Sequence, residues 1–245
     1  MKKGKKLFLI GIGVALIAFI WGLERGTRLL LASQLKLDKI EVQGCLRTDP
    51  QQIIKAASVS PETPMLDLRL RKISQRVEEL PWVRSCVVRR VLPDTLSLQV
   101  IERNPIALIR LDKLYYVDED GTPFKEPAPG EALDYPIVTG WEDEAWKRGA
   151  RKDLIEQALW FIREVQDHPY LSKEGISEIQ FNEIGDLTIF TVQGGTMIYM
   201  HAGDMELKVR RLEEVWKTLA AKRLPVHYIL YESPDRIVVG LEKRG

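Results

Sequence analysis

Chemistry needs side chains that converge, and the residue types best suited to it are few and scattered in this chain. Two cysteines, Cys45 and Cys86, form neither a CxxC pair nor part of a four-ligand metal set. Cys86 reads as a small core residue of a strand, and a disulfide to Cys45 stays open, because two thiols in a sequence do not define one. His168, His201 and His227 stand far apart, which leaves zinc without a ligand set. The acidic runs Asp118-Glu119-Asp120 and Glu142-Asp143-Glu144 fall in expected turns and read as solvated faces. GxSxG, HExxH and P-loop motifs are absent. Gly11-Ile12-Gly13 has Leu16 where a dinucleotide loop needs its third glycine, and it lies inside an apolar run. The sequence therefore predicts no catalytic residue, no metal, no cofactor and no small-molecule substrate. What remains is binding to other proteins.

Charge narrows the partner further. The 36 Lys and Arg against 35 Asp and Glu give +1, but Lys2, Lys3, Lys5 and Lys6 precede Leu23 and no acidic residue does, so the remainder is slightly acidic. Nucleic acid is excluded, since no basic excess is available to displace counterions from phosphates.

Those lysines flank 17 uncharged residues, 7–23, which as a helix span roughly 26 Å, close to the hydrocarbon thickness of a bilayer. A transmembrane helix is expected, with residues 1–6 as a cytoplasmic tail and the rest extracytoplasmic, because the lysine cluster outnumbers Arg25 and Arg28 on the other flank. A cleaved signal peptide is the competing reading. It wants a small-x-small cleavage site, and Leu30 sits two before Ala32, the nearest plausible one. Gly11, Ala15, Ala18 and Gly22 form a small-residue stripe that would let a second membrane helix approach. Small residues are also simply common in such helices.

The elements that follow are α+β. Ile40 and Val42 alternate with Lys39, Glu41 and Gln43 as a half-buried strand up to Gly44. Asp49-Pro50 supplies an N-cap and a first-turn proline for a short helix. Residues 67–80 form a second, with Leu70, Ile73, Val77 and Leu80 on its apolar face and Arg76 on its wet side. Pro81 stops it. Residues 82–91 and 95–101 read as strands joined by Leu92-Pro93-Asp94, and Trp82 and Val83 are expected to pack at the start of the first.

This βααββ order carries a resemblance. Val42-Gln-Gly, the run from Leu80-Pro-Trp-Val-Arg to Leu92-Pro-Asp-Thr-Leu, and Val100-Ile-Glu-Arg-Asn-Pro-Ile-Ala resemble a polypeptide-transport-associated (POTRA) domain. One such domain directly after a membrane helix resembles the FtsQ/DivIB cell-division family, giving a POTRA domain at 37–104 and an FtsQ-type β domain at 105–245. In the second domain Tyr115-Tyr-Val-Asp-Glu-Asp-Gly-Thr-Pro-Phe and Tyr135-Pro-Ile-Val-Thr-Gly also resemble the family.

The second domain reads as mixed α/β with a largely antiparallel sheet. An amphipathic helix at 151–167 precedes strands at 176–181, 187–192 and 196–201. Gly194-Gly195 is expected to close a two-residue hairpin between the last two. A helix follows Gly203-Asp204, with Lys208, Arg210, Arg211 and Lys217 on a solvated face. Strands at 226–231 and 236–241 close the chain. Where the family usually has Asp and Arg before the tyrosine, this chain has Tyr228 and Leu230.

The resemblance implies a septal scaffold of the inner membrane that catalyses nothing, recruits and holds FtsB- and FtsL-type partners, and helps regulate septal peptidoglycan synthesis. It places Tyr231, Ser233, Gly240 and Leu241 at the partner surface. Arg236, Ile237, Val238 and Val239 complete a last strand whose edge would accept an incoming strand, and Gly240 would allow close backbone approach. The reading of a different class is a POTRA-type chaperone or transport module for envelope proteins. Such modules precede a C-terminal β-barrel, and the chain carries no run of alternating strands for one.

Overall fold

The computed structural model describes residues 19–21, 35–131, 133–140, 152–168, 171–222, 224–233 and 236–241. Of the apolar run 7–23, only 19–21 fall among them, helical and exposed. The small-residue stripe lies outside the described residues. Among those described, no helix is long and apolar enough to cross a membrane. The chain divides into two compact units, with the boundary between Arg103 and Asn104.

In the first unit, β1 (Lys39–Gln43), α1 (Pro50–Ala57), α2 (Leu70–Glu78), β2 (Val83–Val91) and β3 (Thr95–Glu102) give the βααββ order. The sheet runs β1-β3-β2, with β1 parallel and β2 antiparallel to β3. Asp49 caps α1 by accepting a hydrogen bond from the Gln51 N–H at 2.9 Å, and Pro50 opens the helix. Ile53, Ile73 and Val77 from the helices meet Val83, Cys86, Leu96, Leu98 and Val100 in one core. Arg76 is not on the wet side. Its guanidinium donates to the carbonyls of Ala57 at 2.8 Å and Ser58 at 3.0 Å, satisfying the end of α1.

The two cysteines are free. Cys86 lies on β2, opposite Val100 of β3, and Cys45 follows β1 on the other side of β3. Burial raises the pKa of both thiols, that of Cys86 to about 11. Trp82 is half-buried, with the Arg47 guanidinium 4.8 Å from its ring, and Val83 is the residue that enters the core, 1% exposed. Glu102 accepts N–H bonds from Leu46, Arg47 and Thr48 at 2.8–3.2 Å and so pins the loop that carries Arg47.

The second unit is one nine-stranded sheet. Its strands are β4 (Pro105–Arg110), β5 (Leu114–Asp118), β6 (Pro123–Lys125), β7 (Ile137–Thr139), β8 (Ile176–Phe181), β9 (Leu187–Thr191), β10 (Met197–Met200), β11 (Val226–Ser233) and β12 (Arg236–Leu241), in the order β12-β11-β10-β9-β8-β7-β4-β5-β6. Pairings β4–β7, β7–β8 and β10–β11 are parallel and the other five antiparallel, so the sheet is mixed. Parallel neighbours need a crossover. α3 (Lys152–Asp167) and the short α4 (Leu171–Glu174) lie between β7 and β8, and α5 (Met205–Lys222) lies between β10 and β11. Leu154, Ala158, Phe161 and Ile162 of α3 and Val209, Leu212 and Trp216 of α5 join the inward strand residues in one core.

Two expectations fail here. The β9–β10 connection is not a two-residue hairpin. Gly194 and Gly195 do have positive φ, 73° and 61°, but Thr191 and Thr196 close a four-residue loop through Thr191 N–H to Thr196 O (3.1 Å) and Thr196 N–H to Thr191 Oγ1 (3.0 Å). Lys208 does not share the solvated face of α5. It is 7% exposed and its ammonium donates to the His201 carbonyl, so its long stem packs while its head satisfies a backbone group.

Candidate interaction surface

The C-terminal hairpin is built from β11 and β12, paired antiparallel as Val226↔Leu241, Tyr228↔Gly240, Ile229↔Val239, Leu230↔Val238, Tyr231↔Ile237 and Ser233↔Arg236. Two bulges on β11, at His227 and Glu232, interrupt this register. They strengthen local twist at the end of the sheet. β12 stands last in the strand order, so its outer edge has no strand neighbour among the described residues. Such an edge offers N–H and C=O groups to an incoming chain.

Side chains of β12 divide between two faces. Ile237 and Val239 pack against the core, while Val238 continues the opposite face. Leu241 is 46% exposed. At the turn end, exposed Arg236 pairs with Glu232 at 2.8 Å, and Ser233 is half-buried.

Two residues expected at this surface are packed against the chain's own side chains. Tyr231 is 3% exposed, a core residue with the Lys208 ammonium 5.9 Å from its ring, and its buried hydroxyl has no hydrogen-bond partner among the described residues. Its ring is unavailable to a partner. The space over Gly240 is already taken, because a Cβ there would fall inside the ring of Tyr228. Gly240 admits the chain's own tyrosine rather than an incoming backbone.

Four residues that face outward beside the strand, Tyr228, Leu230, Met197 and Tyr199, were not expected at this surface. Register places Gly240, Tyr228 and Met197 in one cross-strand row and Val238, Leu230 and Tyr199 in the next, on the face opposite the core. All of Tyr228, Ile229, Leu230 and Tyr231 are apolar or aromatic, so alternation gives no signal of which pair points inward.

Electrostatics beside the hairpin are those of structure. Asp186, 5% exposed, accepts hydrogen bonds from the Tyr199 hydroxyl (2.8 Å), the Ala202 N–H (2.8 Å) and the Asn182 amide (3.3 Å), with His201 Nδ1 at 3.2 Å. Burial alone would raise its carboxyl, but these partners, Ala202 first, lower it to about 2. Among the described residues no cluster of His, Cys, Asp and Glu could hold a metal ion.

The family described as POTRA domain, FtsQ-type, matches residues 35–103, and that described as Cell division protein FtsQ/DivIB, C-terminal, matches residues 107–230. The cell division protein FtsQ of Geotalea daltonii is 33% identical over 243 residues, 96% of this chain and 87% of that protein. The chain belongs to the FtsQ/DivIB cell-division family. Other FtsQ proteins agree: that of Syntrophotalea carbinolica is 30% identical over 95% of this chain and 82% of its own length, and that of Geobacter sp. is 34% identical over 84% and 76%. The family is a non-enzymatic scaffold of division, and this chain takes part in cell division as a member of it. The matched C-terminal segment ends within β11, before β12.

Proposed function

We propose that this chain is a septal scaffold whose β12 edge receives an extended segment of an FtsB- or FtsL-type partner. The observation that carries the reading is the position of β12: it ends a nine-stranded sheet, and its outer main-chain groups have no strand neighbour among the described residues. Main-chain hydrogen bonds would supply affinity, and Ser233, Arg236, Val238 and Leu241 would select the partner. Ile237, Val239 and Gly240 hold the strand in place, and Tyr231 supports it from the core. The run 7–23 anchors the chain in the inner membrane with residues 1–6 in the cytoplasm and the folded units on the periplasmic side. By holding its partners at the septum the scaffold helps regulate septal peptidoglycan synthesis.

The test is co-purification of the partner with the full chain. Along a strand, N–H groups alternate between the β11 side and the free side, so one of Val238→Pro and Val239→Pro removes a donor from the free edge. Loss of FtsB capture in at least one of them, with the unfolding midpoint retained, is expected. Full capture by both variants would overturn the edge.

A further inference from the structure

Beneath the Val226–Leu241 end of the hairpin, a cavity of about 350 Å³ opens between α5 and the β9–β10 loop. Trp216, Leu219 and Leu224 give it apolar lining, and Glu174, Gln193 and Thr196 give it polar lining. Thr196 is already committed, its hydroxyl donating to the Val226 carbonyl at 3.1 Å. The Gln193 N–H donates to the Glu174 carbonyl at 2.8 Å, which ties the loop to the end of α4.

Glu174 is different. Its carboxylate is half-buried and has neither a hydrogen bond nor an ion pair among the described residues. Burial raises its pKa above the ordinary value, the response of an acid that has lost water and gained no counter-charge. At the lip of the cavity the main-chain groups of Gly194 and Gly195 make no hydrogen bond among the described residues, and a Cβ on Gly195 would meet nothing within 4 Å. A polypeptide backbone can run past them unobstructed.

We propose that this cavity receives a lysine or arginine side chain of a protein partner, with the cationic head paired to Glu174 and the aliphatic stem against Trp216 and Leu219. Charge complementarity selects the cation, and an apolar wall beside a single carboxylate suits a side chain with a long stem and a charged tip. The open main-chain groups at the lip select a polypeptide over a free amine. This goes beyond the strand-edge reading and does not depend on it.

The experiment titrates the full chain, purified in detergent, with acetyl-Ala-Arg-Ala-amide, its citrulline analogue and agmatine, read by calorimetry. The arginine peptide is expected to bind about fivefold or more tighter than the uncharged citrulline peptide and than agmatine, the scale of a half-exposed ion pair. Glu174→Gln should erase that preference. Ala220→Trp, which fills the mouth from an exposed helix position, should abolish binding while Glu174 stays. Equal affinity for the arginine and citrulline peptides, or unchanged binding by E174Q, would overturn the proposal. So would agmatine binding as tightly as the peptide, which makes the site one for a free amine. Binding that emerges only after Arg223→Gln or removal of residues 242–245 would show that the chain supplies its own cation. Failure here with capture of FtsB intact removes the pocket alone, whereas loss of capture in the β12 variants with peptide binding intact removes the edge alone.

Discussion

The ring of Tyr228 occupies the place where a side chain at position 240 would begin, across the β11–β12 pair. An aromatic folded over a cross-strand glycine replaces the packing that the glycine lacks. Gly240→Val should therefore expel the ring and cost about 1 to 3 kcal/mol, the usual range for overpacking. Adding Tyr228→Ala should recover much of that loss, giving a coupling that urea unfolding of the single and double variants measures. Strict additivity would mean that the ring is not what excludes a side chain.

Tyr231 gives a second prediction, because its ring is packed in the core and its buried hydroxyl has no partner among the described residues. Tyr231→Phe removes an oxygen that lost its water and gained nothing, so stability should stay level or rise by about 1 kcal/mol. Tyr231→Ala should cost about 3 to 5 kcal/mol through the cavity it leaves. Any loss of partner capture by Tyr231→Ala would then track unfolding. Capture lost by a variant with an unchanged melting curve would return the ring to the interface.

Acid should weaken both units through two hydrogen-bonded carboxylates, buried Asp186 and half-buried Glu102. Burial would raise the pKa of Asp186, but its hydrogen bonds hold it at about 2 against an ordinary 3.8. The folded state thus binds that proton less readily than the unfolded chain, and its contribution is complete above pH 4 and lost as pH falls toward 2. Glu102 shifts in the same sense: burial opposes, and the Arg47 and Thr48 N–H groups prevail. Asp186→Asn should lower stability at pH 7 by about 2 kcal/mol and flatten the acid limb of the stability curve. An unaltered limb in thermal melts from pH 2 to 7 would contradict the assignment.

Trp82 and Val83 separate surface from core at the start of β2. Trp82 is half-buried with Arg47 over its ring, so Trp82→Ala should cost only about 1 to 2 kcal/mol, well short of the loss from a fully buried indole. Val83→Thr, nearly equal in volume, places an unpaired hydroxyl in the core and should cost as much or more. Denaturant midpoints of the two variants decide the order.

The first unit was largely legible because its signals are local. Asp49-Pro50 announces α1, the Leu92-Pro93-Asp94 turn separates β2 from β3, and alternation on β3 sends Leu96, Leu98 and Val100 inward. The second unit hid what depends on tertiary partners. Lys208 sits among basic residues that are exposed, and it turns inward where the His201 carbonyl accepts its ammonium beside the Tyr231 ring. Tyr231 lies in the core instead of at the partner surface that the resemblance implied, because the strand is apolar on both faces and bulges at His227 and Glu232 shift its register. The pocket acid Glu174 carries no sequence signal, since its isolation depends on α5 arriving from forty residues further along the chain.

The strand order of the second unit bears on how the sheet is made. On one side of β4 lies β7, and β8, β9, β10, β11 and β12 are then each laid beside the strand that precedes them in the chain, while β5 and β6 fold back on the other side of β4. Every new strand thus finds its template already in place, and no early strand waits for a late one to be inserted beside it. A chain emerging amino-terminus first can add strands in the order of their emergence, with short searches between them. A strand from another protein docking on β12 would be the next step of that same growth, made with a second polypeptide.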